Sequence, residues 1–425
     1  MASPQYLLAV NHVVGNLVKA VDILRQRPDL SGLRTVLITN QSDAYEKYAK
    51  FINQEDIVIC DFNNQEDIKE KLLPLNKNIV GVVCRVEKNI QYLRKLAPFL
   101  PKDIAVASPE SLAKATNKRL MRVAFSKQSP EITPSFLQVS NLLPETISAV
   151  EKALGYPMII KPANLFSSLL IQVCRNRTDL ETGLEAAFQK INRLYDESDI
   201  YEEPQIIVEE YLEGDFYSID AYAMSGGTVF FDPPVAYVPA TQIGINDFFL
   251  YKRFIPTKLS DQEIDDANRT VAKALKAIDL TNSSAHVELV LTKDGWKIIE
   301  IGPRLGRFRH IMYGLAYGIN HSMNDLKIHL GIEPDIPTKL LNYCAAYSIY
   351  PTTKEGILKE VTGIKTLEKY PELEFLRHGL EPGDKSLHAK NGGVAIVEFV
   401  VASNDQKQFA KRIEFIEKNV NPVID

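Results

Sequence analysis

Two glutamates, Glu288 and Glu300, flank a single turn on strands of alternating character, and residues of this type at this spacing can hold a cation. The runs 286–292 and 296–302 are joined by Lys293-Asp294-Gly295, whose Asp-Gly pair tolerates the positive φ of a tight hairpin turn. A side-chain period of two puts His286, Glu288 and Val290 on one face of the first strand. It puts Ile298, Glu300 and Gly302 on one face of the second, so the two carboxylates oppose each other across the ladder. Uncompensated carboxylates at that spacing repel, whereas a divalent cation that prefers hard oxygen ligands removes the conflict, and Mg²⁺ carrying a nucleotide is the natural candidate. An ordinary solvent-facing strand pair with a coincidental glutamate on each side gives the same pattern. The rest of the chain has to decide between them.

The positioning elements must come from a chain of 425 residues, longer than one core usually supports, so two or three domains are expected. With 45% hydrophobic and 24% charged residues the composition is that of a globular protein. A net charge of -5 gives no general electrostatic reason to bind nucleic acid or anionic lipid, which favours small-molecule chemistry. No basic region precedes a long apolar run at the N-terminus and no stretch approaches a membrane span, so a cytoplasmic protein is expected. Cys60, Cys84, Cys174 and Cys344 are scattered through apolar runs without paired metal-ligand spacing and read as reduced core residues.

Residues 1–109 alternate short apolar runs (6–10, 35–39, 57–60, 79–84) with helical patterns (15–26, 43–52, 65–73, 87–98), which predicts an α/β domain with a doubly wound parallel sheet. The first strand runs into Asn11-His12-Val13-Val14-Gly15, which lacks the glycine-rich phosphate turn, so a substrate-side or structural role is favoured over a dinucleotide site. Ser108-Pro109-Glu110 caps a helix that carries Lys118 and breaks near Pro130. The strand 154–162 ends in Lys161-Pro162, where a lysine can reach into a cleft as a compact cation for phosphate.

Taken in order, Lys118, Gly155-Tyr156-Pro157 with Lys161-Pro162, Val208-Glu209-Glu210-Tyr211-Leu212-Glu213-Gly214, His286-Val287-Glu288 and Glu300-Ile301-Gly302-Pro303-Arg304 resemble the ATP-grasp superfamily over roughly 110–330. The resemblance implies that Lys118 and Lys161 contact nucleotide phosphates, that Glu209 accepts from the adenine amino group and that the Leu212 backbone reads the adenine edge. It implies Glu288 and Glu300 as Mg²⁺ ligands and Arg304 as the arginine that steadies a phosphoryl group or acyl phosphate. Three departures stand out. The loop after Lys161, residues 163–170, has no glycine, leaving Ser167 and Ser168 as candidate phosphate donors. Asp215-Phe216 stands where a ribose-contacting glutamate is usual, and Gly302 where a metal-binding asparagine is usual.

Beyond the motifs, 233–247 reads as an irregular segment, either a substrate loop with Gln242, Gly244 and Asn246 or a plain connection. Ser260 with Glu263 caps an amphipathic helix through 277. Arg307 and Arg309 either clamp a substrate carboxylate or are solvated. The tail, 341–425, reads as a small α+β domain following an ATP-grasp region at 110–340, whose lid subdomain spans about 135–208. The resemblance extends to amino-acid ligases and implies ATP- and Mg²⁺-dependent joining of a small-molecule carboxylate to an amine, with a homodimer as a possible assembly. A bicarbonate-activating enzyme and an ATP-binding relative without turnover are the alternatives.

Overall fold

The structure, a computed structural model, describes residues 3–165, 169–197, 200, 202–245 and 247–425. Its N-terminal part is a parallel sheet in the order Ile57–Ile59, Leu33–Thr39, Gln5–Val10, Ile79–Val83. Apolar residues cover both faces, as the continuous β-branched runs require. The strand order reverses at Gln5–Val10, whose neighbours are the second and fourth strands, and a crevice opens beyond the C-terminal ends of strands at such a point.

The helical stretch after Ser108 is two helices, Pro109–Thr116 and Lys118–Gln128, rather than the one expected. Asn117 adopts an extended backbone between them and its side chain caps the second by accepting from the Leu120 N–H. Lys118 thereby becomes the first residue of a helix pointed at the cleft. Over the stretch expected to form a lid there is an antiparallel sheet ordered Phe136–Val139, Ile206–Glu210, Met158–Pro162, Gln172–Cys174, packed against helices Pro144–Leu154 and Arg177–Glu197.

The largest sheet has nine strands, running from Gly295–Gly302 through Ser283–Thr292, Asp215–Ala223, Val235–Pro239, Leu250–Ile255, Tyr343–Ile349 and Val397–Ser403 to Leu373–His378, with Val229–Phe231 beside Asp215–Ala223. Two expectations change here. Residues 235–239, read as irregular because Pro233, Pro234 and Pro239 surround them, form an interior strand, since the alternating Val235, Tyr237 pattern pairs on both sides. The 341–425 segment contributes three strands to this sheet, with Tyr347 opposite Lys252, so the sheet crosses the boundary placed at 340. Its remaining strands, Gly356–Val361, Lys385–Ser386 and Pro422–Ile424, make a small separate sheet. All four cysteines are buried and free. Among the described residues no helix is long and apolar enough to cross a membrane.

Candidate active site

A cavity of about 730 Å³ lies where the lid sheet, the nine-stranded sheet and the crevice of the N-terminal sheet meet. The N-terminal contribution comes from the ends of its first and fourth strands, through His12 and Asn16 on one side and Arg85 and Glu87 on the other. That is the topological switch point, so this domain supplies a wall of the cleft.

The hairpin floors the cavity. Glu288 and Glu300 are directly opposite in register, and Lys293 and Asp294 form the turn before Gly295, whose φ of +99° glycine accommodates without strain. The alternation breaks after Glu288, however. A bulge lets Ile299 and Glu300 both line the cavity while Ile298 turns into the core with Trp296 and Ile301, so Ile298 does not share a face with Glu300. Burial disfavours the charge on Glu288, but the hydrogen bond and charge of His286, with Arg309 and Arg304 nearby, outweigh it and hold the carboxyl below its ordinary value. Glu300 pairs with Lys118 Nζ at 3.2 Å. Two hard carboxylate ligands on facing strands suit Mg²⁺. Among the described residues no three histidine, cysteine or acidic side chains are arranged to hold a metal ion by themselves, so water and phosphate would complete the shell. At position 302 a Cβ would sit 3.3 Å from the Arg304 guanidinium carbon, so the arginine folds over the place where a side-chain ligand would stand.

Lys118 and Lys161 both line the cavity. Lys118 Nζ donates to the Leu165 carbonyl at 3.0 Å, and Lys161 Nζ to Glu209 at 2.7 Å. Glu209 is not free for adenine. It is 1% exposed, does not line the cavity, and accepts from Arg122 Nε at 2.7 Å as well as from Lys161. Burial would raise its pKa, yet the Arg122 and Lys161 charges bring it down to about 2. For Lys161, burial outweighs the attraction of Glu209 and, with Arg122, lowers its pKa. The carboxylate thus spaces two cations, and sequence reasoning missed Arg122, which lies 87 residues away along the chain.

Ile159, Tyr211, Leu212 and Ile299 give this end of the cavity apolar walls suited to a planar base. Leu212 lies just beyond the strand Ile206–Glu210, outside the ladder. Phe216 lines the cavity and packs on Tyr237 at 5.6 Å between ring centroids, whereas Asp215 is exposed and turned away. Ser167 and Ser168 lie outside the described residues.

Arg304 pairs with Glu87 of the N-terminal domain and donates to the Leu305 carbonyl at 3.0 Å. Arg307 pairs with Glu398 at 2.7 Å. Arg309 is neither solvated nor in the cavity: it is 1% exposed and donates to Ser218 Oγ at 2.6 Å. Behind the hairpin lies a network that the sequence did not reveal. Asp220 meets His286 Nδ1 at 2.5 Å, His321 Nε2 at 2.8 Å and the Gly306 N–H at 2.8 Å. Its burial is outweighed by the two histidines, which hold it well below the ordinary carboxylate range. Asp232, whose burial is opposed by His321 and reinforced by Asp220, rises to about 7. Gly306 is obligatory here, because a Cβ would come within 2.5 Å of the His286 ring.

The sequence profile of the ATP-grasp domain matches residues 154–310, the stretch that supplies the lid strands, the hairpin and Arg304. The chain carries an ATP-grasp domain. D-alanine–D-alanine ligase of Bacillus velezensis is 33% identical over 189 residues, which is 41% of this chain and 48% of the relative. The corresponding ligase of Bacillus licheniformis is 28% identical over 246 residues, 55% of this chain and 61% of the relative. The chain therefore spans about half the length of the first and less than two thirds of the second. An L-amino acid ligase from Bacillus licheniformis superposes with a TM-score of 0.77 at 16% identity, covering 100% of both chains. Phosphoribosylglycinamide synthetase from Anaerococcus prevotii gives 0.66 at 19% identity, again over 100% of both. At these identities the solved structures show a shared fold over the whole chain and nothing beyond it.

Proposed function

We propose that the protein is an ATP- and Mg²⁺-dependent carboxylate–amine ligase that forms an amide through an acyl phosphate, with an amino acid among its substrates. The observation that carries this reading is the convergence in one cavity of Lys118, Lys161, the Glu288–Glu300 pair and Arg304, beside an apolar slot for a base. The relatives named D-alanine–D-alanine ligase and the structural likeness to an L-amino acid ligase support it.

The base is held by Ile159, Tyr211, Leu212 and Ile299, and the phosphates extend toward Lys118 and Lys161. Glu288 and Glu300 are the residues that would hold Mg²⁺, which when bound supplies counter-charge to the phosphates. A carboxylate oxygen of the first substrate attacks the γ-phosphorus and the bond to ADP breaks. The amine then attacks the acyl carbon and phosphate departs. Arg304 exchanges Glu87 for the transferred group, its planar fork matching phosphate oxygens. Lys118 likewise leaves Glu300 as nucleotide and cation arrive. Such chemistry depends on positioning and charge neutralisation, which these side chains provide.

Gly302 and the glycine-free 163–170 loop favour a second reading, an ATP binder without turnover. The deciding measurement is ADP and phosphate release with ATP, Mg²⁺ and a panel of L-amino acids offered singly and in pairs. Release that requires both a carboxylate and an amine supports ligation. Binding of ATP with no release across the panel supports the inert binder, and release that requires bicarbonate instead supports a carboxyl phosphate enzyme.

A further inference from the structure

The cavity continues past the hairpin into a wing walled by Phe249, Phe308 and Tyr350. Four arginines line the cavity, and three already have a carboxylate: Arg85 with Asp325 at 2.8 Å, Arg307 with Glu398 at 2.7 Å, and Arg304 with Glu87. Arg253 does not. It is 8% exposed, and among the described residues no carboxylate oxygen stands within ion-pairing distance of it. Its Nη1 donates to the Leu250 carbonyl and to Ser348 Oγ, both at 3.2 Å, while its Nε and Nη2 donate to no described residue.

The nearest acid in the wing cannot serve it. Glu398 accepts from Ser348 at 3.3 Å on one oxygen, and from Arg307 at 2.7 Å and Arg377 on the other. Burial, with Arg309 and Arg307 close by, pulls the Arg253 pKa down to about 10, which leaves it cationic at neutral pH. The guanidinium carbon lies 5.6 Å from the Phe308 ring centroid, and the two donors left unused remain for an incoming anion with paired oxygens, which relieves the cost of burying them unpaired.

We propose, on the ligase reading above, that this wing binds a carboxylate of a substrate that is not the one being activated, held by Arg253. The sheet geometry separates the two sites. Three strand spacings, about 14 Å at the backbone, lie between Ser283–Thr292 and Leu250–Ile255, and Glu288 and Glu300 meet Tyr237 and Lys118 rather than Arg253, which leaves room for one carboxylate beside the glutamate pair and another at Arg253. The substrates together therefore carry two acid groups, and only one is consumed. The unreacted carboxylate belongs either to the amine partner or to a side chain of the acid partner.

The test uses ADP release by the full-length protein with ATP, Mg²⁺ and L-amino acid pairs, comparing each amino acid with its primary amide and each acidic side chain with its amide. Capping the unreacted carboxylate should lower kcat/KM by about 10²-fold, as expected for a lost charge-assisted contact. Loss on capping the amine partner assigns the group to the acceptor; loss on capping the side chain assigns it to the donor. Arg253→Met should erase the discrimination between capped and free substrates, and Arg253→Lys should restore part of it. Both variants should keep the ATP-induced rise in melting temperature, which shows that fold and nucleotide site survive. Indifference of the wild-type protein to both kinds of capping, or undiminished discrimination in Arg253→Met, overturns the proposal. Absence of any carboxylate- and amine-dependent ADP release defeats the ligase reading itself and is a separate result.

Discussion

Replacing Glu209 by glutamine tests whether the buried carboxylate is a spacer between cations or a contact for the base. In the structure it is 1% exposed and sits between Arg122, which is 0% exposed, and Lys161. A pKa of about 2 against an ordinary 4.5 corresponds to about 3 kcal/mol of folded-state stabilisation. The cost of breaking a buried ion pair from one side, about 3–5 kcal/mol, agrees with it. Because the folded pKa is depressed, this stability is fully present above about pH 4.5 and is lost as pH falls through about 2. Urea unfolding of wild type and Glu209→Gln should therefore differ by about 3 kcal/mol near neutral pH, and the difference should shrink steadily below about pH 4.5. Comparing the two proteins at each pH cancels the titration of groups that do not interact with Glu209. A variant with wild-type stability that has selectively lost its preference for ATP over GTP would refute the reasoning, because that is the behaviour of an adenine ligand.

The remaining predictions concern the cleft. Saturating ATP with Mg²⁺ should raise the melting temperature, since a ligand at about a hundred times its dissociation constant adds roughly 2.7 kcal/mol; calorimetry that shows no shift across millimolar ATP rules out a nucleotide site. Glu288→Gln and Glu300→Gln should each lower the rate of ADP formation by about 10²–10³, with the double variant scarcely worse, and additive losses would mean that the pair does not share one ion. Lys161→Met should abolish nucleotide-dependent turnover while circular dichroism stays native, and full activity would remove this lysine from the phosphate site. Glu87→Gln frees Arg304 from its N-terminal partner, so the KM for the carboxylate substrate should fall several-fold in steady-state assays; an unchanged value would show that the ion pair does not compete with substrate.

The chemistry legible in the sequence was local. The hairpin could be read because a strand's period of two and an Asp-Gly turn are set by neighbouring residues, and those same rules place Glu288 opposite Glu300. The N-terminal parallel sheet was legible because strands buried on both faces read as continuous apolar runs. Ordered motifs then located the ATP-grasp domain. What stayed hidden depends on contacts between distant residues. The bulge that sends Ile298 into the core and Ile299 into the cleft is decided by packing against Trp296 and Ile301, and no local propensity marks it. The Val235–Pro239 strand was masked by flanking prolines and is held by its neighbours on both sides. Glu209 carries a base-binding motif, yet it is claimed by an arginine 87 residues away. Arg307 and Arg309 look alike in sequence, but one meets Glu398 and the other is buried against Ser218. Arg253, in an unremarked strand, is among the described residues the cavity arginine without an ion-paired carboxylate, because Glu398 is claimed by Arg307 and Arg377. Residue types and their spacing determine which groups can do chemistry. Burial and long-range pairing decide which of those groups remain free to do it.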